Sequence, residues 1–414
     1  MTDLDTRVAP ASPALRRAAP ALAGYAAVRA LGLIALTLWS AARDKSAHTL
    51  LTARWDSLWY TRVAELGYGY EVRLPNGDVH SNLAFFPLLP WLERALHAVS
   101  PLSYADAGLV VSLLASLAAA WGIFAVADHV YGRRAGVCAV LLWAVLPVGI
   151  VQSMAYSESL FTALAAWSLY AVLTGRWITA GTLAALAGLT RPVGLAVVAA
   201  VWAAGLATFV QERRSPSFVH GGSTPAKGGA RNAVHAPSIA PAGPGRGAPA
   251  WRRALGLLLA PLGAAAYVLW VGWHTGKGVF GYLDVQAGWR NGFDGGYAFA
   301  RFVADKFTSP PGALAGTALI AGVALVIWLY VVCVRQGQPL PLLVYAGVVT
   351  ALALCASSYF GSKPRLLMPA FPLLLPLALA LARARPNRAA AVLGAVATAS
   401  AVYGAFWLNG SGPP

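Results

Sequence analysis

Apolar residues run along this chain in long blocks, at 21–40, 105–130, 135–151, 157–174, 178–189, 193–210, 253–274, 312–334, 340–357, 366–382 and 389–408. Most match the roughly 20 residues that an α-helix needs to cross the hydrocarbon core of a bilayer. The expected fold is an all-α polytopic membrane protein with about 11 transmembrane helices. A membrane barrel is excluded, because its strands are short and alternate apolar with polar residues. The block 178–189 is short for a span. Thr190-Arg191-Pro192 parts it from 193–210, so the two read either as one broken hairpin or as two half-buried helices.

Three segments between blocks are too rich in polar and aromatic residues to be plain connectors: 41–104, 276–311 and 358–365. In the first, Trp55, Leu58/Trp59, Val63 and Leu66 recur at helical spacing, and Phe86 to Val99 repeats the pattern after a Pro87/Pro90 start. Such amphipathic helices lie in the membrane interface, with Trp and Tyr at headgroup level. Residues 1–20 read as a cytoplasmic tail. Residues 211–251, rich in Gly, Pro, Ser and basic residues, read as a disordered cytoplasmic linker between membrane halves 21–210 and 252–414. No internal repeat is evident, which argues against a transporter built on inverted repeats.

Composition sharpens this picture. The chain is 58% hydrophobic and 11% charged, values that soluble domains rarely combine. Its net charge of +16 does not imply nucleic acid, because membrane proteins gather Lys and Arg in cytoplasmic loops. With the N-terminus inside and spans alternating, inner segments carry 17 Lys+Arg against 4 Asp+Glu, and outer segments 13 against 11. The carboxylates therefore gather outside, and the catalytic chemistry is expected there. Cys138, Cys333 and Cys355 lie in apolar blocks and lack metal-ligand spacing. No nucleotide-binding, metal or Ser-His-Asp signature is present, so no cofactor is expected and no motif supports a metal ion.

The stretch 52–90 organises the candidate chemistry. Asp56 opens an interfacial helix, where it reads either as a helix-start carboxylate or as a general base in a partly dry site walled by Trp55 and Trp59, with Tyr60 one turn away. Asn82 reads as a turn residue or a sugar ligand. Phe85 and Phe86 read as interface packing or as a wall for an acyl chain or sugar. Tyr156 and Glu158 open the block at 157, where Glu158 caps the helix or orients an acceptor hydroxyl or a neighbouring Arg. Arg191 lies between two apolar blocks, where a guanidinium needs a partner: a phosphate, or a structural pair with Glu158 or Asp106. Lys363 and Arg365 stand at the outer mouth of a span, where cations are scarce, and either bind a lipid phosphate or snorkel to headgroups. Asp284, Gln286, Trp289 and Arg290 belong to the second large outer loop, placed to close over a substrate.

Several motifs occur in a telling order: Trp55-Asp56, Gly67-Tyr68 with Glu71, Ala84-Phe-Phe-Pro-Leu-Leu-Pro90, Tyr156-Ser-Glu-Ser159, and Pro364-Arg365 followed by Pro369-Ala-Phe-Pro372. Together they resemble the PIG-V family of mannosyltransferases, in its bacterial, actinobacterial branch. The resemblance covers most of the chain outside the tail and the linker. It implies a GT-C glycosyltransferase that takes a sugar from a polyprenyl monophosphate on the extracytoplasmic face. The Asp-x-Asp or Glu-x-Asp pair of many GT-C loops is absent, and Thr190-Arg-Pro-Val-Gly departs from the family's Arg-Ser-Asn-Gly type.

On this reading Asp56 is the general base of an inverting mannose transfer from polyprenyl phosphate mannose to a lipid-linked or polymer glycan acceptor. Arg191, Lys363 and Arg365 bind the donor phosphate. Trp55, Tyr60, Glu71, Asn82, Phe85, Phe86, Tyr156 and Glu158 position sugar or acceptor. The same fold using arabinose or glucose, or a lipid or glycan transporter, are the alternatives. The transporter needs charges along a midplane path, and Arg29 alone sits clearly inside a span.

Overall fold

The computed structural model describes residues 13–214, 249–357, 359–410 and 412. The expected tail and linker lie largely outside these residues. Where their ends are described they are helical, since α1 already begins at Pro13 and α9 continues to Arg214.

The expected apolar blocks all fall on helices: α1 (Pro13–Ala41), then, after α2 (Ala47–Thr52), α3 (Asp56–Leu66) and α4 (Leu88–Ala98), the run α5 (Tyr104–Tyr131), α6 (Arg133–Ala144), α7 (Ser157–Leu173), α8 (Trp177–Gly188) and α9 (Leu195–Arg214). The second half holds α10 (Ala250–Leu259), α11 (Leu262–His274), α12 (Gly281–Gly288), α13 (Tyr297–Asp305), α14 (Pro310–Arg335), α15 (Leu340–Cys355), α16 (Lys363–Leu367), α17 (Leu375–Arg383) and α18 (Pro386–Leu408). Six described helices are long and apolar enough to cross a bilayer, and a bent pair at residues 360–383 makes a seventh. Helices α6, α7, α8 and α15 are shorter than a straight crossing. The protein is a polytopic helical membrane protein.

The bundle is assembled by small residues, which let helix backbones approach without a hydrophobic driving force. Helix α8 meets α10 and α11 through glycines two turns apart on each side. A Cβ on Gly181 would fall 2.2 Å from the Gly256 carbonyl oxygen, and one on Gly263 would fall 1.8 Å from that of Ala185. Helix α5 packs along α6 and α7, and α1 along α18.

Two features aim polar groups. Arg29, buried within α1, donates to the carbonyls of Ala144, the last residue of α6, and of Gly149 just beyond it, so it serves helix packing and not a midplane path. Near α16 and α17 the chain bends by 74°, because Pro369 and Pro372 cannot continue a helical ladder. The bend leaves α16, with Lys363 and Arg365, as a short separate helix.

The long loop between α1 and α5 is built largely as expected, with α3 and α4 as its helices. The buried face of α3 is set by Ser57, Tyr60, Val63 and Ala64. Leu58 and Leu66, expected beside Val63, are 43% and 70% exposed. The loop also contains an antiparallel hairpin, β1 (Glu71–Arg73) with β2 (Val79–Ser81), in the register Val72 opposite His80.

Candidate active site

The site begins with a forced turn. Arg54 donates to the carbonyls of Leu408 (2.5 Å) and Gly410 (2.6 Å) at the end of α18, and its guanidinium lies 3.9 Å from the Trp55 ring. Ser57 Oγ closes the next turn by accepting from the Arg54 amide and donating to its carbonyl. Held on both sides, Trp55 adopts φ +51° and ψ −120°, a conformation that costs a non-glycine residue on the order of 1–3 kcal/mol. The strain places Asp56 as the first residue of α3, where the helix dipole favours a carboxylate.

Asp56 does not cap its own helix. Its Oδ2 lies 2.6 Å from Nη1 of Arg365, brought in by α16 from 309 residues away. The Arg365 Nε lies 3.3 Å from Oε1 of Glu158, and the same oxygen lies 2.5 Å from Nη1 of Arg191. Two guanidinium groups and two carboxylates thus form one cluster. Exposure is graded across it: the Glu158 side chain is 1% exposed, Arg365 8%, Arg191 12% and Asp56 25%. Asp56 is the member most open to an incoming molecule, and Glu158 is the buried hub.

Neutral groups tie the cluster to its helices. Arg191 Nη1 donates to Ser157 Oγ (3.2 Å), which is 2.6 Å from the Tyr60 hydroxyl. The Asp56 amide donates to the Tyr156 hydroxyl at 3.4 Å, and the Arg365 guanidinium lies 5.1 Å from the Tyr156 ring. Burial pushes both tyrosine hydroxyls well above their ordinary range, Tyr60 against the pull of Arg191, so both are neutral. Burial is the largest influence on the Arg191 guanidinium and lowers it, but Glu158 and the smaller contributions of Tyr60 and Asp56 together outweigh it, and the net shift is upward.

The cluster brings together Asp56, Tyr60, Tyr156, Glu158, Arg191 and Arg365, with Trp55 adjoining. Other candidates stand apart from it. The Lys363 ammonium donates to the carbonyls of Ala353 (2.8 Å), Leu354 (3.3 Å) and Ala356 (2.8 Å) at the C-terminal end of α15. Its donors are taken, and it closes a helix end. Asn82 is fully buried, with Oδ1 accepting from the Gly69 amide and Nδ2 donating to the Gly67 carbonyl. Phe86 is 2% exposed and packs 4.4 Å from Tyr267 and 5.5 Å from Tyr282, within a core formed with α11 and α12. Glu71 is exposed on the hairpin, and among the described residues no hydrogen bond or ion pair joins it to the cluster. Phe85 is half-buried and touches Tyr60 edge-on at 5.1 Å. Ser157 joins Tyr60 to Arg191, a role that a serine at a helix start does not announce in sequence.

Each carboxylate here is matched by a guanidinium. This donor set has no surplus negative charge with which to hold a divalent cation.

Fold and site together define a polytopic membrane protein with a buried charge cluster built from both halves of the chain. Residues 34–213 match the family model described as Mannosyltransferase (PIG-V). That stretch, less than half of the chain, holds Asp56, Glu158 and Arg191, and it is similar to the family that the motifs resemble. No curated protein matches the chain. Among solved structures it is similar to ArnT from Cupriavidus metallidurans in the apo state (16% identity, TM-score 0.47, 80% of this chain and 54% of that one). The same protein bound to undecaprenyl phosphate matches at 14% identity and TM-score 0.49, over 87% and 60%. The archaeal oligosaccharyltransferase AglB from Archaeoglobus fulgidus, in complex with an inhibitory peptide and a dolichol-phosphate, matches at 12% and 0.45, over 94% and 56%. The chain spans 54–60% of the length of these structures.

Proposed function

We propose that this protein transfers mannose from polyprenyl phosphate mannose to a hydroxyl of a lipid-linked or cell-envelope glycan, with inversion, on the extracytoplasmic face. The observation that carries this reading is the Asp56–Arg365–Glu158–Arg191 cluster, in which the carboxylate most open to solvent touches a guanidinium held from behind by a buried one. In Arg365, Nη1 faces Asp56 and Nε faces Glu158, which leaves Nη2 for a phosphate oxygen. In Arg191, Nη1 is taken by Glu158 and Ser157, which likewise leaves Nη2.

In the reaction, Asp56 takes the proton of the acceptor hydroxyl while that oxygen bonds to the anomeric carbon. The bond from that carbon to the phosphate oxygen breaks, and polyprenyl phosphate leaves with the electron pair. Arg365 and Arg191 stabilise the growing charge in a site from which water is largely excluded. General base catalysis of this kind typically contributes ~10²–10⁴-fold. Nucleotide sugars are not supplied outside the cell, and a lipid-borne donor meets that constraint. The 13 cations against 11 acids in the outer segments, compared with 17 against 4 inside, support the orientation.

The test is transfer of label from polyprenyl phosphate [¹⁴C]mannose into lipid or polymer by membranes carrying wild-type or Asp56→Asn protein. Label with the wild type and none with the variant is expected. Equal label with both would remove Asp56 from its role. No label with wild type would overturn mannose as the sugar.

A further inference from the structure

Phe85 and Phe86 are sequence neighbours with opposite fates. Phe86 is core, whereas Phe85 stays half-exposed and joins three other half-exposed rings. Trp59 lies parallel to Phe85, 5.6 Å away with 6° between planes. Trp289, which follows α12 in the second half of the chain, meets Trp59 edge-on at 5.0 Å and Phe85 at 5.5 Å. His80 of β2 stacks on Trp289 at 4.0 Å and 9°. Burial holds the His80 imidazole below its ordinary value despite Asp78, so the ring is uncharged at neutral pH.

The arrangement is fastened from outside the rings. Trp289 Nε1 donates to the Ser81 carbonyl at 3.0 Å, and Arg290 Nε pairs with Asp78 at 2.6 Å. Gly288 permits the approach, since a Cβ there would fall 2.3 Å from the Val79 carbonyl oxygen. The tip beyond α12 is thereby held on the hairpin, with its indole against Trp59.

This wall is continuous with the charge cluster. Phe85 touches Tyr60, Tyr60 reaches Ser157, and Ser157 accepts from Arg191. A hexose presents one face of C–H groups inside a rim of hydroxyls, and a partly wet aromatic wall suits that chemistry: ring faces for the carbon skeleton, water and polar edges for the rim. In a glycosyl phosphate the sugar is one bond from the phosphate. If Arg191 and Arg365 take the phosphate, as in the function proposed above, the sugar must lie beside them.

We infer that Trp59, Phe85 and Trp289, backed by His80, form the platform on which the hexose ring of the lipid-linked donor rests. Trp289 is a specificity-determining residue supplied by the second half of the chain. This inference rests on the proposed function.

The experiment titrates full-length protein in nanodiscs, without acceptor, with polyprenyl phosphate mannose and separately with sugar-free polyprenyl phosphate. Trp289→Ala is expected to weaken binding of the mannosylated lipid roughly tenfold and to leave the sugar-free lipid unchanged. Trp289→Phe should restore most of the loss. Loss of both lipids to the same extent would mean that Trp289 only holds the loop, and the platform would be overturned. Unchanged binding of both would overturn it equally. If wild type binds neither lipid, the proposed donor itself is wrong and the platform falls with it. That result is distinguishable, because it appears before any substitution is made.

Discussion

Asp56 Oδ2 and Arg365 Nη1 stand 2.6 Å apart, although 309 residues separate them in the chain. One is the first residue of α3, and the other lies on the short helix released by a proline-rich bend. With the Arg365 Nε–Glu158 pair, the contact joins the two halves of the chain into one charge cluster.

Arg365 faces both carboxylates through different nitrogens, and a lysine ammonium, a single point charge, does not reproduce that fork. Arg365→Lys is therefore expected to lower kcat for the proposed mannose transfer by about 10²-fold or more while the protein remains in the membrane. A rise in KM for the lipid donor with kcat unchanged would assign Arg365 to donor binding alone. The check is steady-state transfer measured on purified protein with varied donor.

Glu158 is 1% exposed and is the buried counter-charge for Arg191 and Arg365. Removing one partner of a buried ion pair typically costs about 3–5 kcal/mol, because the other charge is left uncompensated. Glu158→Gln is expected to lower the thermal midpoint of the purified protein markedly. The double variant Glu158→Gln/Arg191→Met should recover part of that loss, because it also removes a stranded cation. Thermal unfolding of the single and double variants side by side provides the measurement.

Lys363 gives a contrasting expectation. Its ammonium closes the carbonyl end of α15 and lies 4.7 Å from the Phe299 ring. Lys363→Met is expected to cost stability by about 1.5–3 kcal/mol, the scale of hydrogen bonds to a charged group, with KM for the lipid donor unchanged. A selective rise in donor KM would return Lys363 to the phosphate site.

Glu93 on α4 is fully buried, and neither carboxyl oxygen has a hydrogen-bond partner among the described residues. A Cβ on Gly108 of α5 would fall 2.6 Å from its Oε1. Burial alone raises this carboxyl well above 4.5. The folded protein therefore binds a proton that the unfolded chain releases, and stability falls as pH rises from about 4.5 toward the raised folded value. Glu93→Gln removes this linkage. The variant should match wild type near pH 4 and surpass it in thermal midpoint at pH 7–8. Parallel midpoint curves across that range would show that Glu93 is not held neutral by burial.

Much of this protein follows from local pattern. The apolar blocks predict the spans because bilayer thickness translates directly into helix length. Helices α3 and α4 were readable from their spacing. Asp56 stood out by its aromatic setting at a helix start, Glu158 as an acid opening a helix, and Arg191 because a guanidinium between apolar blocks needs a partner. The Arg191–Glu158 pair was foreseeable as one of two partners for a stranded arginine. Tertiary structure decided the rest. No local rule joins Asp56 to Arg365, because their meeting depends on how α16 is aimed by the bend beside it. Lys363 and Arg365 are two residues apart, yet one closes α15 and the other enters the site, since they leave a single helical turn in different directions. Asn82, Phe85 and Phe86 divided in the same way into turn tie, half-buried ring and core. The sequence determined which groups needed partners and on which lengths of helix they would ride. Only the packed structure chose the partners, because contacts between distant segments are set by helix crossings and side-chain reach that no neighbouring residue encodes.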